Sequence, residues 1–127
     1  MPQQEPAAKT ILIVEDDPLL IKMYKTKFVS EGYSVFTAFD GEAGLSLALE
    51  KKPDLIILDV MMPKLSGIDM LKKLKGDAYG RNVPVIILSN LSQEEEAKKA
   101  FEYGAKEYLV KANFTPGQVF EKVKQYI

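Results

Sequence analysis

The sequence of 127 residues contains neither cysteine nor histidine. Without cysteine the chain has no disulfide, no thiolate nucleophile and no soft-metal site. Without histidine it has no Ser-His-Asp triad, no imidazole general base and no imidazole metal ligand. The side chains that remain for chemistry are carboxylates, hydroxyls and lysines. Because carboxylates prefer hard cations, a metal site in this chain is expected to hold Mg²⁺, Mn²⁺ or Ca²⁺.

Long hydrophobic runs and an excess of one charge are also absent. No apolar stretch approaches the roughly 18 residues of a membrane span, and 17 basic residues balance 18 acidic ones. The composition therefore suggests neither a membrane surface nor a nucleic-acid surface as partner. The lack of cysteine is compatible with a cytoplasmic location.

The length and the hydrophobic content of 46% suffice for one domain with a core. Residues 1–8 form a short polar tail with two prolines. This tail has neither the basic start nor the apolar middle of a signal peptide, and it is predicted to be disordered. The domain is predicted to span residues 9–127.

Five apolar runs alternate with five amphipathic stretches along the chain. The strands are predicted over residues 10–14, 34–38, 54–59, 83–89 and 107–110. The helices are predicted to begin after Asp17, at Asp40, at Ser66, at Ser92 and after Thr115. Alternation at this spacing predicts an α/β fold of the (βα)5 type, in which a parallel sheet carries helices on both faces.

Side chains suited to phosphate chemistry directly follow the apolar runs of four predicted strands. In a parallel sheet these positions share one edge, where open α/β folds bind their ligands. They are Glu15, Asp16, Asp59, Ser89 and Lys111. Carboxylates this close repel one another, and a divalent cation would relieve the repulsion; Mg²⁺ is favoured because its sites typically use one or two carboxylates.

The same five side chains allow Asp59 to act as a carboxylate nucleophile that forms an aspartyl phosphate. Lys111 would neutralise phosphate charge, and Ser89 would donate a hydrogen bond to a phosphoryl oxygen. A single acid after a strand is usually only a cap or loop residue, and paired acids alone can form a weak Ca²⁺ site. The combination of an acid cluster, a hydroxyl and a lysine favours the phosphoryl interpretation over both.

Over residues 9–127 the chain resembles the receiver domain of response regulators in two-component phosphorelay signalling. The resemblance is carried by Val14-Glu15-Asp16-Asp17, by Asp59-Val60-Met61-Met62-Pro63 with Gly67, by Ser89 after an apolar run, and by Tyr108-Leu109-Val110-Lys111. It implies a chemotaxis-regulator-like, flavodoxin-like fold: a doubly wound, five-stranded parallel sheet with strand order 2-1-3-4-5.

The resemblance also implies the role of each metal ligand. Asp59 would accept a phosphoryl group from a phosphohistidine on a partner histidine kinase or phosphotransfer protein. Asp16, Asp59 and the backbone carbonyl of Met61 would bind Mg²⁺, with Mn²⁺ as a substitute, and Glu15 would reach the ion through water.

The remaining roles that the resemblance implies concern signal output. Lys111 would contact the phosphoryl group, while Ser89 and Tyr108 would act as the switch pair. The chain would be a signalling receiver that catalyses only its own phosphotransfer and slow dephosphorylation. A downstream protein or a second copy would bind the fourth helix, the fifth strand and the fifth helix, near Tyr103, Lys106 and Glu107; ordinary solvated helix surface is the alternative for these three residues.

The chain departs from the family pattern in three ways. Ala112 stands where the family usually has proline after the lysine, and Asn90 stands where a small residue is usual. Met61 and Leu91 occupy the two positions that flank the attacking water, and neither side chain can orient water. Slow loss of the aspartyl phosphate is therefore predicted.

Two other functions remain as alternatives. The first is a phosphorylation-independent interaction module on the same fold, which the departures at Asn90 and Ala112 leave open. The second is a Mg²⁺-dependent phosphohydrolase with an aspartyl intermediate. Such enzymes commonly carry a second acid two residues after the nucleophile, where this chain has Met61.

Overall fold

The computed structural model describes residues 8–62, 64–90 and 94–127. The strands are β1 Thr10–Val14, β2 Ser34–Ala38, β3 Leu55–Leu58, β4 Val85–Ser89 and β5 Glu107–Val110. The α-helices are α1 Pro18–Ser30, α2 Gly41–Lys51, α3 Gly67–Lys75, α4 Glu94–Glu102 and α5 Pro116–Lys124. A short 3-10 turn, Lys111–Asn113, which the sequence did not predict, follows β5. Within these residues the predicted alternation of strand and helix is confirmed.

The five strands form one parallel sheet in the order β2-β1-β3-β4-β5. Val14 at the end of β1 pairs with Leu58 at the end of β3, and Ser89 at the end of β4 pairs with Val110 of β5. Leu58 also pairs with Ile87, so β4 and β5 extend two residues beyond β1 and β3, and the carboxyl ends of all these strands lie along one edge. The predicted α/β fold and strand order are confirmed.

Two strands are shorter than predicted. Asp54 lies directly before β3, which begins at Leu55. Its backbone N–H donates to the Thr10 carbonyl at 2.8 Å, and its carboxylate accepts hydrogen bonds from the backbone N–H (2.8 Å) and the hydroxyl (3.1 Å) of Thr10. These hydrogen bonds tie the start of β3 to β1. β4 begins at Val85 rather than Val83.

The sheet separates two hydrophobic cores, because alternate side chains of a strand point to opposite faces. On one face, Ile13 and Ile57 pack with α1 and α5. On the other face, Leu12 and Leu58 pack with α2, α3 and α4. Both faces of the central strands are thus buried, as is usual for parallel sheets.

Local signals determine several helix ends. Asp17 caps α1 by accepting a 3.0 Å hydrogen bond from the Leu19 N–H, with Pro18 at the first helical position. Thr115 and Gln118 form a capping box at the start of α5, where a helix was predicted to begin. The predicted start of α4 at Ser92 and residues 1–7 of the predicted tail lie outside the described residues. No helix in the described part of the chain is both long and apolar enough to cross a bilayer.

Candidate functional site

The structure brings the five side chains predicted from the strand ends to one edge of the sheet. Glu15 follows β1, Asp59 follows β3, Ser89 ends β4 and Lys111 follows β5. Asp16 lies beside Glu15 and donates its backbone N–H to a Glu15 carboxylate oxygen at 3.1 Å. The arrangement arises because the strands end along one edge of the sheet and each polar residue comes directly after its apolar run.

Three carboxylates form a cluster at this edge. One oxygen each from Glu15, Asp16 and Asp59 lie within 4.8 Å of one another. Glu15 and Asp59 are buried, at 4% and 6% exposure, whereas Asp16 is exposed to solvent. Carboxylate oxygens are the donors that a hard cation such as Mg²⁺ prefers, and the exposed side of the cluster leaves room for water ligands.

Lys111 is the counter-charge to this cluster. Its ammonium contacts Glu15 and donates a hydrogen bond to Asp59 Oδ2 at 3.2 Å. Burial alone would lower the pKa of Lys111, but the hydrogen bond to Glu15 and the charges of both acids outweigh burial and raise it. The lysine therefore carries its charge across the whole neutral range.

Glu15 has the most perturbed carboxyl group of the cluster. Burial, together with a hydrogen bond to Asp59, raises its pKa from 4.5 to about 8, although Lys111 opposes the shift. A small cavity beside the acids is lined by Ile57 and Leu88 together with Glu15, Asp59 and Lys111, so the surroundings of Glu15 are partly apolar. A cation in the cleft would favour the ionised form of Glu15 and so reverse this shift.

A cleft of about 340 Å³ opens above the cluster. It is lined by Asp16, Asp17, Leu20, Asp59, Met61, Ser89, Asn90 and Lys111. The Met61 side chain is 61% exposed, and its backbone N–H donates a long, 3.4 Å hydrogen bond to Asp59 Oδ1. Asn90 is also exposed, while Leu91, the other position predicted to flank the attacking water, lies outside the described residues.

Ser89 and Tyr108, the predicted switch pair, interact in this structure. Ser89 is fully buried at the end of β4, and Tyr108 is half-buried beside it on β5. Burial raises the pKa of Tyr108, and a hydrogen bond with Ser89 opposes that increase. Ser89 therefore lies between the cleft, which it lines, and Tyr108.

Gly67 is a site residue whose role the sequence did not predict. A Cβ on Gly67 would overlap the Asp59 carbonyl oxygen and lie 2.7 Å from Val60 Cα. The Gly67 N–H also donates to the Val60 carbonyl at 2.8 Å. Only glycine lets the start of α3 pack this closely on the end of β3. The sequence feature that corresponds to this role is a glycine eight positions after Asp59.

The predicted partner surface is only partly free. Tyr103 is 37% exposed and Lys106 is exposed, but Glu107 accepts a 2.8 Å hydrogen bond from the Tyr126 hydroxyl and pairs with Lys122 at 3.2 Å. Phe101 lies on α4, which belongs to the predicted surface, and is 49% exposed.

Comparison with known proteins gives one consistent result. The family model described as "Response regulator receiver domain" matches residues 11–124. The alkaline phosphatase synthesis transcriptional regulatory protein PhoP of Bacillus subtilis is 38% identical over 116 residues, which is 91% of this chain and 47% of PhoP. The chain spans less than half the length of several curated relatives that it matches.

Other relatives match over nearly their whole length. The polar-differentiation response regulator DivK of Brucella anthropi is 31% identical over 119 residues, covering 94% of this chain and 96% of DivK. Among solved structures, a CheX–CheY–BeF3–Mg²⁺ complex from Borrelia burgdorferi contains a chain 31% identical to this one. That match has a TM-score of 0.84 and covers 92% of this chain and 87% of the other.

Proposed function

The chain belongs to the response regulator receiver domain family of two-component signalling, and from that premise we propose that it is a switch controlled by phosphorylation of Asp59. One observation carries the proposal: a buried carboxylate at the end of the central strand contacts a half-buried lysine and lies among two further acids. A structural ion pair would not need three carboxylates for one ammonium.

The proposed reaction transfers a phosphoryl group from a phosphohistidine on a partner protein. A carboxylate oxygen of Asp59 attacks the phosphorus; the new O–P bond forms as the N–P bond breaks, and the electron pair remains on the imidazole nitrogen, which takes a proton from water. Lys111 holds the Asp59 carboxylate in place and balances charge on the phosphoryl oxygens. The lack of histidine in these 127 residues agrees with a donor supplied from outside this domain.

Asp16, Asp59 and the Met61 carbonyl would hold Mg²⁺ in this proposal, with Glu15 reaching it through water. The proximity of the three acids supports the assignment, as does the Mg²⁺ in the related complex from Borrelia burgdorferi. When bound, the ion supplies positive charge to the phosphoryl oxygens in the transition state.

Ser89 and Tyr108 would transmit the modification to the partner surface. The phosphoryl group adds about two negative charges beside Ser89. If the Ser89 hydroxyl turns to donate to a phosphoryl oxygen, its hydrogen bond with Tyr108 is lost, and Tyr108 is free to move. Since Tyr108 lies on β5, the surface of α4, β5 and α5 would change for a downstream partner.

Incubation with Mg²⁺ and acetyl phosphate tests the proposal. We expect intact-mass spectrometry to show an adduct of about 80 Da on the wild type and on Asp69→Asn, which changes an exposed aspartate outside the cleft. Asp59→Asn should show none. An unmodified wild type would instead favour the phosphorylation-independent module, and steady release of phosphate from organic phosphates would favour the phosphohydrolase.

A further inference from the structure

The first residue of α2 contacts the loop after β3, although neither a sequence motif nor strand pairing requires this contact. Gly41, the first residue of α2, is buried against the backbone of Leu65. A Cβ on Gly41 would overlap the Leu65 carbonyl oxygen and lie 2.7 Å from the Leu65 carbonyl carbon. In protein structures, Cβ atoms essentially never approach non-bonded atoms within 3.0 Å. Only glycine is compatible with this contact.

The loop on the other side of the contact has a constrained backbone. Lys64 adopts a left-handed conformation, with φ of +68°, which costs a residue other than glycine roughly 1 kcal/mol. The Lys64 ammonium lies 3.7 Å from the Asp40 carboxylate, but it is 63% exposed, so this pair contributes little. The backbone contact between Gly41 and Leu65 therefore restrains this part of the loop more directly than the ion pair does, together with the packing of the Leu65 side chain against the core.

This restraint extends to the carboxylate cluster through consecutive backbone contacts. Two residues after Leu65, the Gly67 N–H donates to the Val60 carbonyl, and Gly67 packs on the Asp59 carbonyl. Met61, whose carbonyl is a proposed metal ligand, directly follows Val60. Leu65 is thus connected to two proposed ligands, Asp59 and the Met61 carbonyl, by a path that does not include Pro63, which lies outside the described residues.

We propose that Gly41 is a positioning residue for the metal site: by allowing α2 to touch Leu65, it fixes the loop that carries the Asp59 and Met61 ligands. The inference rests on the proposed function, because it assumes that these residues bind Mg²⁺. A methyl group at position 41 must displace the loop backbone, and Mg²⁺ tolerates little change in ligand geometry. A misplacement of about 1 Å can reduce the function of such a site by up to 100-fold.

Isothermal titration calorimetry of the full chain with Mg²⁺ alone tests the inference. Gly41→Ala should bind Mg²⁺ about ten-fold or more weakly than the wild type. Gly80→Ala is the matched control, because its Cβ would lie 2.6 Å from the Leu74 carbonyl carbon, a similar backbone overlap in the turn between α3 and β4. Gly80→Ala should lose stability yet keep the wild-type affinity. Gly117→Ala, whose Cβ would meet nothing closer than 3.9 Å, should keep the wild-type Mg²⁺ affinity and lose no stability, because alanine suits a helix better than glycine.

Equal Mg²⁺ affinity in Gly41→Ala and wild type would overturn the inference, as would equal weakening in Gly41→Ala and Gly80→Ala. A wild type that binds no Mg²⁺ would contradict the proposed function itself. Should Gly41→Ala fail to fold, NMR of the wild type decides, because coupling between two sites is reciprocal. Mg²⁺ should then shift the amide signals of Gly41 and Leu65 but not that of Gly80; unshifted Gly41 and Leu65 signals would overturn the inference.

Discussion

Glu15 is the single residue whose charge depends most on what else occupies the cleft. Its position after β1 made it a predictable member of the acid cluster. Its raised pKa was not predictable, because it results from burial beside Ile57 and Leu88, which belong to other strands. The same limit applies to Lys111, whose contacts with Glu15 and Asp59 span 96 and 52 positions of sequence.

The raised pKa of Glu15 predicts how the stability of the metal-free chain depends on pH. The folded chain binds this proton more tightly than the unfolded chain, whose glutamate has a pKa of 4.5. The contribution of Glu15 to stability is therefore fully present below about pH 4.5 and is lost as the pH rises toward about 8. In EDTA, urea unfolding should show that the wild type loses roughly 1–2 kcal/mol more than Glu15→Gln between pH 6 and pH 8.

Excess Mg²⁺ at pH 8 should remove this loss in the wild type, because a cation beside Glu15 favours its ionised form. Glu15→Gln supplies the control, since glutamine keeps the size of the protonated acid and does not titrate. Parallel pH profiles for the two proteins would contradict the assignment of the raised pKa to Glu15.

At the scale of helices and strands, features set by local sequence were predicted best. The cap Asp17 with Pro18 and the capping box of Thr115 depend on residues within one turn, and the structure contains both. In α1, the apolar residue Met23 is 44% exposed, whereas Ile21 is buried. Which stripe of a helix is buried depends on how it packs on the sheet, and spacing alone does not specify that.

The Thr115 cap predicts a measurable contribution of α5 to stability. The Thr115 hydroxyl accepts a 3.2 Å hydrogen bond from the Gln118 N–H, and alanine would leave that donor without its partner. Thr115→Ala should lower the free energy of unfolding by about 1 kcal/mol in urea titrations. Thr26→Ala, the same substitution at an exposed position inside α1, should be neutral or slightly stabilising. Equal losses in both variants would show that the cap contributes nothing specific.

At the scale of the whole molecule, the parallel sheet followed from the alternation of elements, but the strand order did not. Alternation fixes the chain direction of each strand, whereas the order β2-β1-β3-β4-β5 was expected only from the family resemblance. The contact between Gly41 and Leu65 was beyond both, because it depends on how α2 and the loop after β3 meet once the sheet is complete. Backbone packing between residues far apart in the sequence is visible in that sequence only as a glycine.

The duration of the proposed signal is a property of the whole molecule, because it depends on how well the assembled cleft protects the aspartyl phosphate from water. The Met61 side chain stands 61% exposed at this cleft and has no group that can orient water for attack. We expect the phosphorylated wild type to persist for minutes or longer after the phosphodonor is removed, as followed by intact mass over time. Met61→Asn, which introduces an amide able to hold water, should shorten that lifetime, whereas Met61→Leu should not. A wild-type lifetime of seconds would contradict the prediction.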